Sequence, residues 1–158
     1  MKYKQINLQN ASDLKNIFMI MNKTKKRSDC PVSCSLDIWG DKWSLLIIRD
    51  LMLDKKCTYG DFLKSPEGIA TNILASRLLM LEENNIIEKL DHPYSKAKVL
   101  YKLTRKGIDL LPIMIEINLW AEKYFSTIPE DRKAMLKEVK KDKPGFIKAM
   151  TKKLEGLK

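Results

Sequence analysis

Residues 68–87, GIATNILASRLLMLEENNII, constrain the fold of this chain more than any other segment. At the helical period of about 100° per residue, Leu74, Leu78 and Leu81 share one face. The opposite face, where a surface helix usually carries Lys and Glu, has small and short polar side chains centred on Asn72 and Ser76. The segment therefore predicts a helix whose leucines pack inward and whose opposite face, with small polar side chains, is suited to close contact with a partner.

Shorter helical patterns precede this helix. Apolar residues spaced by three and four predict helix over residues 34–53, divided into a short and a longer helix at Gly40-Asp41. A third, short helix is predicted over residues 58–63, and a turn over residues 64–68 connects it to the next helix.

A β-hairpin is predicted to follow. Residues 86–90 and 99–103 are short, apolar and partly alternating, and the polar sequence DHPYSKAK separates them. Thr104 then caps a final long helix to about residue 125, which Pro112 bends by removing a hydrogen bond. This order predicts a mainly α fold with a small β-hairpin (α+β), a winged helix-turn-helix domain with N- and C-terminal helices for dimerisation.

In such a domain, residues 68–87 supply the recognition helix. A helix that enters the DNA major groove, roughly 12 Å wide, needs small side chains for close approach and short donors and acceptors. The predicted DNA-contacting residues of this helix are Thr71, Asn72, Ala75, Ser76 and Arg77. Asn72 pairs with adenine, while Arg77 grips the DNA backbone from the flank. The alternative is an ordinary surface helix without a partner.

The hairpin tip is the second predicted DNA contact. It combines cations, an aromatic ring and a hydroxyl without an apolar anchor, which suits phosphates or a minor groove. The predicted contact residues of this wing are His92, Tyr94, Ser95, Lys96 and Lys98. A solvated loop looks similar, so the prediction depends on the position of the loop directly after the recognition helix.

The net charge of +10 favours DNA binding only locally. Residues 1–28 carry seven Lys and Arg against one Asp, and residues 130–158 carry ten against five acidic residues. Residues 29–129 are close to neutral, with 13 basic and 14 acidic residues. Within them, residues 77–106 hold seven basic and four acidic residues. The local excess therefore lies around the predicted recognition helix and wing.

The last long helix has two apolar faces. The first consists of Ile108, Leu111, Ile115 and Leu119. The second consists of Ile113, Ile117, Trp120 and Tyr124. One face suffices to dock the helix on its own domain, and a two-fold mate is the commonest partner for the other. We therefore predict a homodimer whose recognition helices meet major grooves about 34 Å apart in an inverted-repeat operator. A cofactor pocket or coverage by the C-terminal tail is the alternative.

The composition favours a cytoplasmic protein that is not an enzyme. Its apolar runs are far shorter than a membrane span, and no signal peptide is evident. Three cysteines without a secretion signal indicate reduced thiols. With His92 as the one histidine and no phosphate-binding Gly-rich loop, we predict neither catalysis nor a cofactor. A zinc site would need Cys57 to converge with the hairpin, so no metal is predicted.

Three separated segments resemble one known family. They are CPVSCSLDIWGDKWSLLIIRDL, TYGDFLKSPEGIATNILASRLLMLEENNII and YKLTRKGIDLLP. In this order, over roughly residues 30–125, they resemble the HxlR family of bacterial transcriptional regulators. The resemblance implies a homodimeric, DNA-binding winged helix-turn-helix regulator, often acting beside a gene whose expression responds to small reactive molecules or metabolic signals. Many members have Ser-Pro where this chain has Ala70-Thr71 at the start of the recognition helix.

The resemblance also implies a role for Cys30, because the matching cysteine in the family can sense oxidants or electrophiles. Cys30 lies just ahead of the first core helix, where free backbone N–H groups favour a thiolate, although Asp29 opposes this. An ordinary reduced thiol is the alternative. We interpret Cys34 and Cys57 as core or helix-surface residues.

The C-terminal tail predicts two more helices. Thr127 and Glu130 have capping-box spacing, so a helix to about residue 141 should follow. Residues 143–145, Lys-Pro-Gly, break it, and the apolar pattern of residues 146–154 marks a second short helix. These helices either dock on the dimer or add nonspecific attraction to phosphate.

The sequence thus predicts three regions. They are a polar N-terminal extension (residues 1–28), the winged domain (residues 29–125) and a basic helical tail (residues 126–158). The predicted function is a transcriptional repressor that binds DNA as a homodimer, with Cys30 or a small-molecule effector providing the response to stress. A dimeric winged-helix module for protein interaction, without sequence-specific DNA binding, is the alternative.

Overall fold

The computed structural model describes residues 28–156. The chain divides into two compact units, residues 1–38 and 39–158. The sequence also predicts a short helix over residues 12–21, with Ser12 as its cap, and these residues lie outside the described part of the chain. Within residues 28–156, no helix combines the length and apolarity that crossing a membrane requires.

The first three helices form where the sequence predicts them, except that the first begins at Pro31, three residues before its predicted start. Helix α1 spans Pro31–Trp39, α2 spans Lys42–Leu53 and α3 spans Tyr59–Leu63. The division after α1 is confirmed, because the Asp41 carboxylate accepts hydrogen bonds from two backbone N–H groups in the first turn of α2. Thr58 caps α3 in a reciprocal capping box.

The predicted recognition helix and hairpin are also confirmed. Helix α4 spans Thr71–Glu83, and Asn85, with φ of 55°, turns the chain out of it. Strand β1 (Ile87–Asp91) pairs antiparallel with β2 (Val99–Leu103). A single bridge from Thr58 adds to the outer edge of β2. The fold of the described residues is therefore mainly α with one small hairpin.

The prediction of one long helix bent at Pro112 is wrong. Two helices take its place, α5 (Arg105–Ile108) and α6 (Leu111–Tyr124). Pro112 lies in the first turn of α6, where its missing N–H removes no helical hydrogen bond. The proline therefore starts a helix and does not bend one.

Helix α5 packs closely against the residues that follow α4. A Cβ atom on Gly107 would lie 2.1 Å from the carbonyl oxygen of Ile86, so only glycine fits there. The same oxygen accepts a hydrogen bond from the Thr104 N–H at 3.0 Å. The Thr104 hydroxyl in turn accepts from the Gly107 N–H, which confirms Thr104 as the cap.

The tail forms two helices, α7 (Glu130–Lys141) and α8 (Lys143–Glu155). The capping box predicted at Thr127 is wrong, since no side chain caps α7. The break between α7 and α8 lies at Asp142, one residue before the predicted break at residues 143–145. Asp142 accepts a hydrogen bond from the Gly145 N–H at 3.0 Å, so residues 143–145 form the first turn of α8.

Both tail helices contribute to the hydrophobic core of residues 39–156. Leu136 and Val139 of α7 and Leu154 of α8 are buried. Other core side chains come from α2, α3, α4, the hairpin and α6, and they include Ile47, Ile48, Phe62, Leu74, Leu81, Ile87, Leu111 and Ile115. The tail packs on α5 and α6, so it is a folded part of the same unit.

Candidate nucleic-acid interface

Helix α4 presents its polar face at the surface. Leu74, Leu78 and Leu81 on the other face are at most 2 % exposed. The exposed predicted contact residues are Thr71, Asn72, Ala75 and Ser76. The structure therefore brings these side chains together on one open helical surface.

The start of α4 is held in place without a side-chain cap. Ala70 occupies the cap position and offers no oxygen to the first-turn N–H groups. From α3, the Tyr59 hydroxyl donates a hydrogen bond of 2.8 Å to the Thr71 carbonyl oxygen. An uncapped, positioned helix start suits an anion, because its N–H groups and dipole both favour negative charge.

Arg77 differs from the other residues of the predicted contact set. It is half-buried, and its Nε donates to Asp41 Oδ1 at 3.0 Å, which ties α4 to the start of α2. Burial opposes ionisation of Asp41, but hydrogen bonds from Ser44 and the charge of Arg77 outweigh it, and the pKa of Asp41 lies below its ordinary value. The partner of Arg77 is not apparent from the sequence, although an aspartate directly after Gly40 is a recognisable capping signal.

A cluster of charges holds the turn that precedes α4. Asp50, only 2 % exposed, accepts hydrogen bonds from Arg49 (2.6 Å), Ser65 (2.6 Å) and Lys56 (3.3 Å). Arg49 also pairs with Glu67 in the turn, at 2.5 Å. Burial opposes the charge on Arg49, but Glu67 and Asp50 raise its pKa overall. The hydrogen bond from Arg49 lowers the pKa of Glu67.

Two consecutive turns form the hairpin tip. The Ser95 N–H donates to the His92 carbonyl oxygen, and the Lys98 N–H donates to the Ser95 carbonyl oxygen. Tyr94 is 92 % exposed, and its ring meets the His92 ring edge-on at 6.3 Å between centroids. The tip thus exposes an aromatic ring on a compact backbone.

The lysines of the tip differ from those lower in the hairpin. Lys89 and Lys102 each pair with a glutamate. Lys96 and Lys98 are exposed and form no ion pair within residues 28–156. Their charge is uncompensated and available to phosphate.

The second apolar face of α6 is at the surface. Its four predicted dimer residues are 38 to 58 % exposed, namely Ile113, Ile117, Trp120 and Tyr124. The Trp120 ring packs at a tilt against the Tyr124 ring, with 5.1 Å between ring centroids. It meets the Phe125 ring edge-on, with 5.7 Å between centroids. Helices α7 and α8 leave this face open, so the described tail does not cover it.

This apolar surface continues into a groove between α6 and α2. The groove has a volume of about 330 Å³, and its apolar lining comes from Leu45, Leu46, Met114, Ile117 and Ala121. An apolar face and groove of this extent, open to water, are typical of an interface with another chain.

The three cysteines lie in different surroundings. Cys30 is exposed and lies directly before α1, and its carbonyl oxygen accepts from the Cys34 N–H. The Cys34 thiol donates to the Ser28 carbonyl oxygen at 3.3 Å. Burial, with a smaller effect of Asp61, raises the pKa of the half-buried Cys57. Residues 28–156 contain no group of three or more His, Cys, Asp or Glu that could hold a metal ion.

Comparison with known proteins yields consistent matches. The model of the HxlR-like helix-turn-helix family matches residues 38–129. The HTH-type transcriptional regulator YodB of Bacillus subtilis is 33 % identical over 96 residues, which cover 60 % of this chain and 85 % of YodB.

Solved structures agree with this match. The structure of PA1607 has a TM-score of 0.58 and 40 % identity, covering 66 % of this chain and 71 % of that chain. The redox regulator HypR in its oxidized form has a TM-score of 0.55 and 29 % identity, covering 62 % of this chain and 100 % of HypR. The family match spans α2 to α6 with the hairpin and ends just before α7.

Proposed function

The chain belongs to the family of HxlR-like helix-turn-helix transcriptional regulators, and from this we propose that it is a repressor that binds an inverted-repeat operator as a homodimer. The observation that carries the proposal is the open polar face of α4, backed by buried leucines and followed by a hairpin tip with uncompensated lysines. In this proposal, residues 29–125 form the winged domain between the extension of residues 1–28 and the tail of residues 126–158.

On α4, the short polar side chains are proposed to contact DNA, and the long Arg77 side chain is proposed mainly to orient the helix. In this proposal, Asn72 pairs bidentately with adenine, and Thr71 and Ser76 bond bases or phosphate. Ala75 leaves room between them for close approach to the groove. Arg77 acts mainly through Asp41, orienting the helix, with the rest of its guanidinium directed to the DNA backbone.

The hairpin tip contributes affinity more than selectivity. Lys96 and Lys98 neutralise phosphates, which releases counterions and makes binding depend steeply on salt. Tyr94, His92 and Ser95 complete the wing as contacts to phosphate or the minor groove.

A second copy of this chain is the proposed partner of the open face on α6. Trp120 and Tyr124 provide large aromatic area, which is typical of the centre of an interface. A two-fold axis through this face would present two α4 helices to successive major grooves about 34 Å apart. Occupancy of DNA by such a dimer would exclude other proteins from the same site.

Binding to the DNA upstream of its own gene and of the neighbouring gene, measured at several salt concentrations, tests the proposal. We expect N72A and S76A each to cost about 1–3 kcal/mol for the preferred sequence and to reduce selectivity. We expect K96A and K98A to weaken binding to all sequences equally and to lower the salt slope by about one each.

K148A is the matched control for the wing lysines, since Lys148 is an exposed lysine of α8, a helix that holds none of the proposed DNA contacts. It should leave both the DNA affinity and the salt slope unchanged. If the α4 variants and the wing variants lost selectivity equally, the readout face would be assigned wrongly. A dimer without sequence-selective binding would favour the protein-interaction module, which the near-neutral charge of residues 29–129 allows.

We further propose that oxidants or electrophiles release the protein from DNA through Cys30. The support is the exposure of Cys30 directly before α1 and the similarity to a redox regulator, HypR. We expect diamide or a quinone to weaken DNA binding by the parent protein but not by C30S. C57S is the control, because its thiol is half-buried, and it should respond like the parent. Unchanged release from C30S would refute sensing by this residue.

A further inference from the structure

A small apolar cavity is lined by α2, the hairpin and α8, and none of its lining residues belongs to the surfaces proposed to contact DNA and the second subunit. Its volume is about 170 Å³. Leucines from three parts of the chain form its walls, Leu51 at the end of α2, Leu103 in β2 and Leu154 in α8. Because α8 lies beyond the region that the family model matches, the tail of this chain completes the cavity.

The polar edge of the cavity is cationic. Lys55, Lys56 and Lys102 line it, and no acidic side chain does. Lys56 is held by Asp50, and Lys102 is held by Glu88. Lys55 forms no ion pair or hydrogen bond within residues 28–156. Lys55 has a φ of 54°, the left-handed conformation that ends α2, and the N–H of the next residue, Lys56, donates to the Asp50 carbonyl oxygen at 3.2 Å.

The remaining polar groups of the wall are uncharged at neutral pH. Cys57 and Tyr101 both line the cavity. Burial raises the pKa of the Cys57 thiol and of the Tyr101 hydroxyl above their ordinary values. The cavity therefore has an apolar interior, two neutral polar groups and one uncompensated cation.

The volume limits what can enter. An apolar cavity of about 150 Å³ is large enough to bind benzene, whereas pockets for drug-sized ligands measure about 300–1,000 Å³. The cavity is thus large enough for a single ring or a short branched chain.

We propose that this cavity binds a small carboxylic acid of single-ring size, with the ring among the leucines and the carboxylate at Lys55. The ligand would contact α2, α8 and β2, and β2 leads directly to the hairpin tip. A ligand that prefers one position of the hairpin shifts the population towards it and changes the affinity for DNA. This regulatory part rests on the proposed function, while binding to the cavity does not.

Methyl NMR spectra of the full chain, titrated with benzoate and with its uncharged isostere benzamide, test the proposal. We expect saturable shifts confined to the methyl groups of Leu51, Leu103 and Leu154 and their neighbours, with a benzoate Kd of about 1 mM. K55Q should weaken benzoate binding by roughly tenfold, as expected for one charge-assisted hydrogen bond, and leave benzamide binding unchanged. K148Q, an exposed lysine variant on α8, should change neither.

The absence of saturable shifts, shifts confined to another surface, or equal benzoate affinity in K55Q would overturn the site. For regulation, saturating benzoate should change the affinity for the upstream DNA by about tenfold. Cavity binding with unchanged DNA affinity would overturn the regulatory part. Failure to bind DNA even without benzoate would refute the proposed function, and the methyl shifts would still decide the cavity site.

Discussion

W120E is expected to convert the proposed dimer into a monomer and to weaken binding to the proposed operator. Trp120 is 57 % exposed in the single chain and is the ring on which both Tyr124 and Phe125 pack. Loss of a central aromatic side chain at an interface costs about 2 kcal/mol or more, and a two-fold axis places two copies in the dimer. The total, about 4 kcal/mol, raises the dimer dissociation constant roughly a thousandfold.

Sedimentation at micromolar concentration measures this change directly. Y94E is the matched control, because it places the same charge on an even more exposed aromatic position in the wing. It should leave the dimer intact. Circular dichroism should show both variants folded, since neither side chain belongs to the core. A W120E protein that sediments as the parent does would exclude this face as the dimer interface.

D50A is expected to lower the free energy of unfolding by about 3 kcal/mol. Removing one partner of a buried ion pair costs about 3–5 kcal/mol because the other charge is left uncompensated. The lower end applies here, since Arg49 and Lys56 retain side-chain exposures of 19 % and 23 %. The variant also frees the Ser65 hydroxyl, so the turn before α4 should loosen.

Urea denaturation of D50A, compared with D50N and E130A, tests this expectation. D50N keeps an oxygen for the Ser65 hydroxyl and should lose less stability than D50A. E130A removes a carboxylate that is 86 % exposed and pairs only with Lys133 within the described residues, so it should have no measurable effect. Equal stability of D50A and the parent would mean that the charge cluster does not hold the turn.

Local signals predicted most of the elements of this fold. The leucine spacing of α4 and the alternation in the two strands are short-range patterns, and both elements form where expected. The long helix across residues 104–125 was predicted wrongly because its apolar spacing continues through the break. Pro112 has no N–H to donate to the Ile108 carbonyl oxygen, so the first helix ends at Ile108 and the proline lies in the first turn of α6.

The exposed part of the candidate interface was predictable for the same reason. The polar face of α4 and the lysines of the tip follow from helical period and from their position in the hairpin. The supporting contacts were not predictable, because Asp41 and Arg77 are 36 positions apart and Arg49 and Glu67 are 18 apart. Such pairs depend on how the helices cross, which no local pattern encodes.

The close contact at Gly107 has a consequence for operator geometry. The Ile86 carbonyl lies at the exit of α4, and both Thr104 and Gly107 press against it on the way to α6. The chain between the helix proposed to read DNA and the helix proposed to bind the second subunit therefore contains no flexible linker. In a dimer built on α6, the separation of the two reading helices is therefore rigid, and operators with one base pair inserted between their half-sites would fit it poorly.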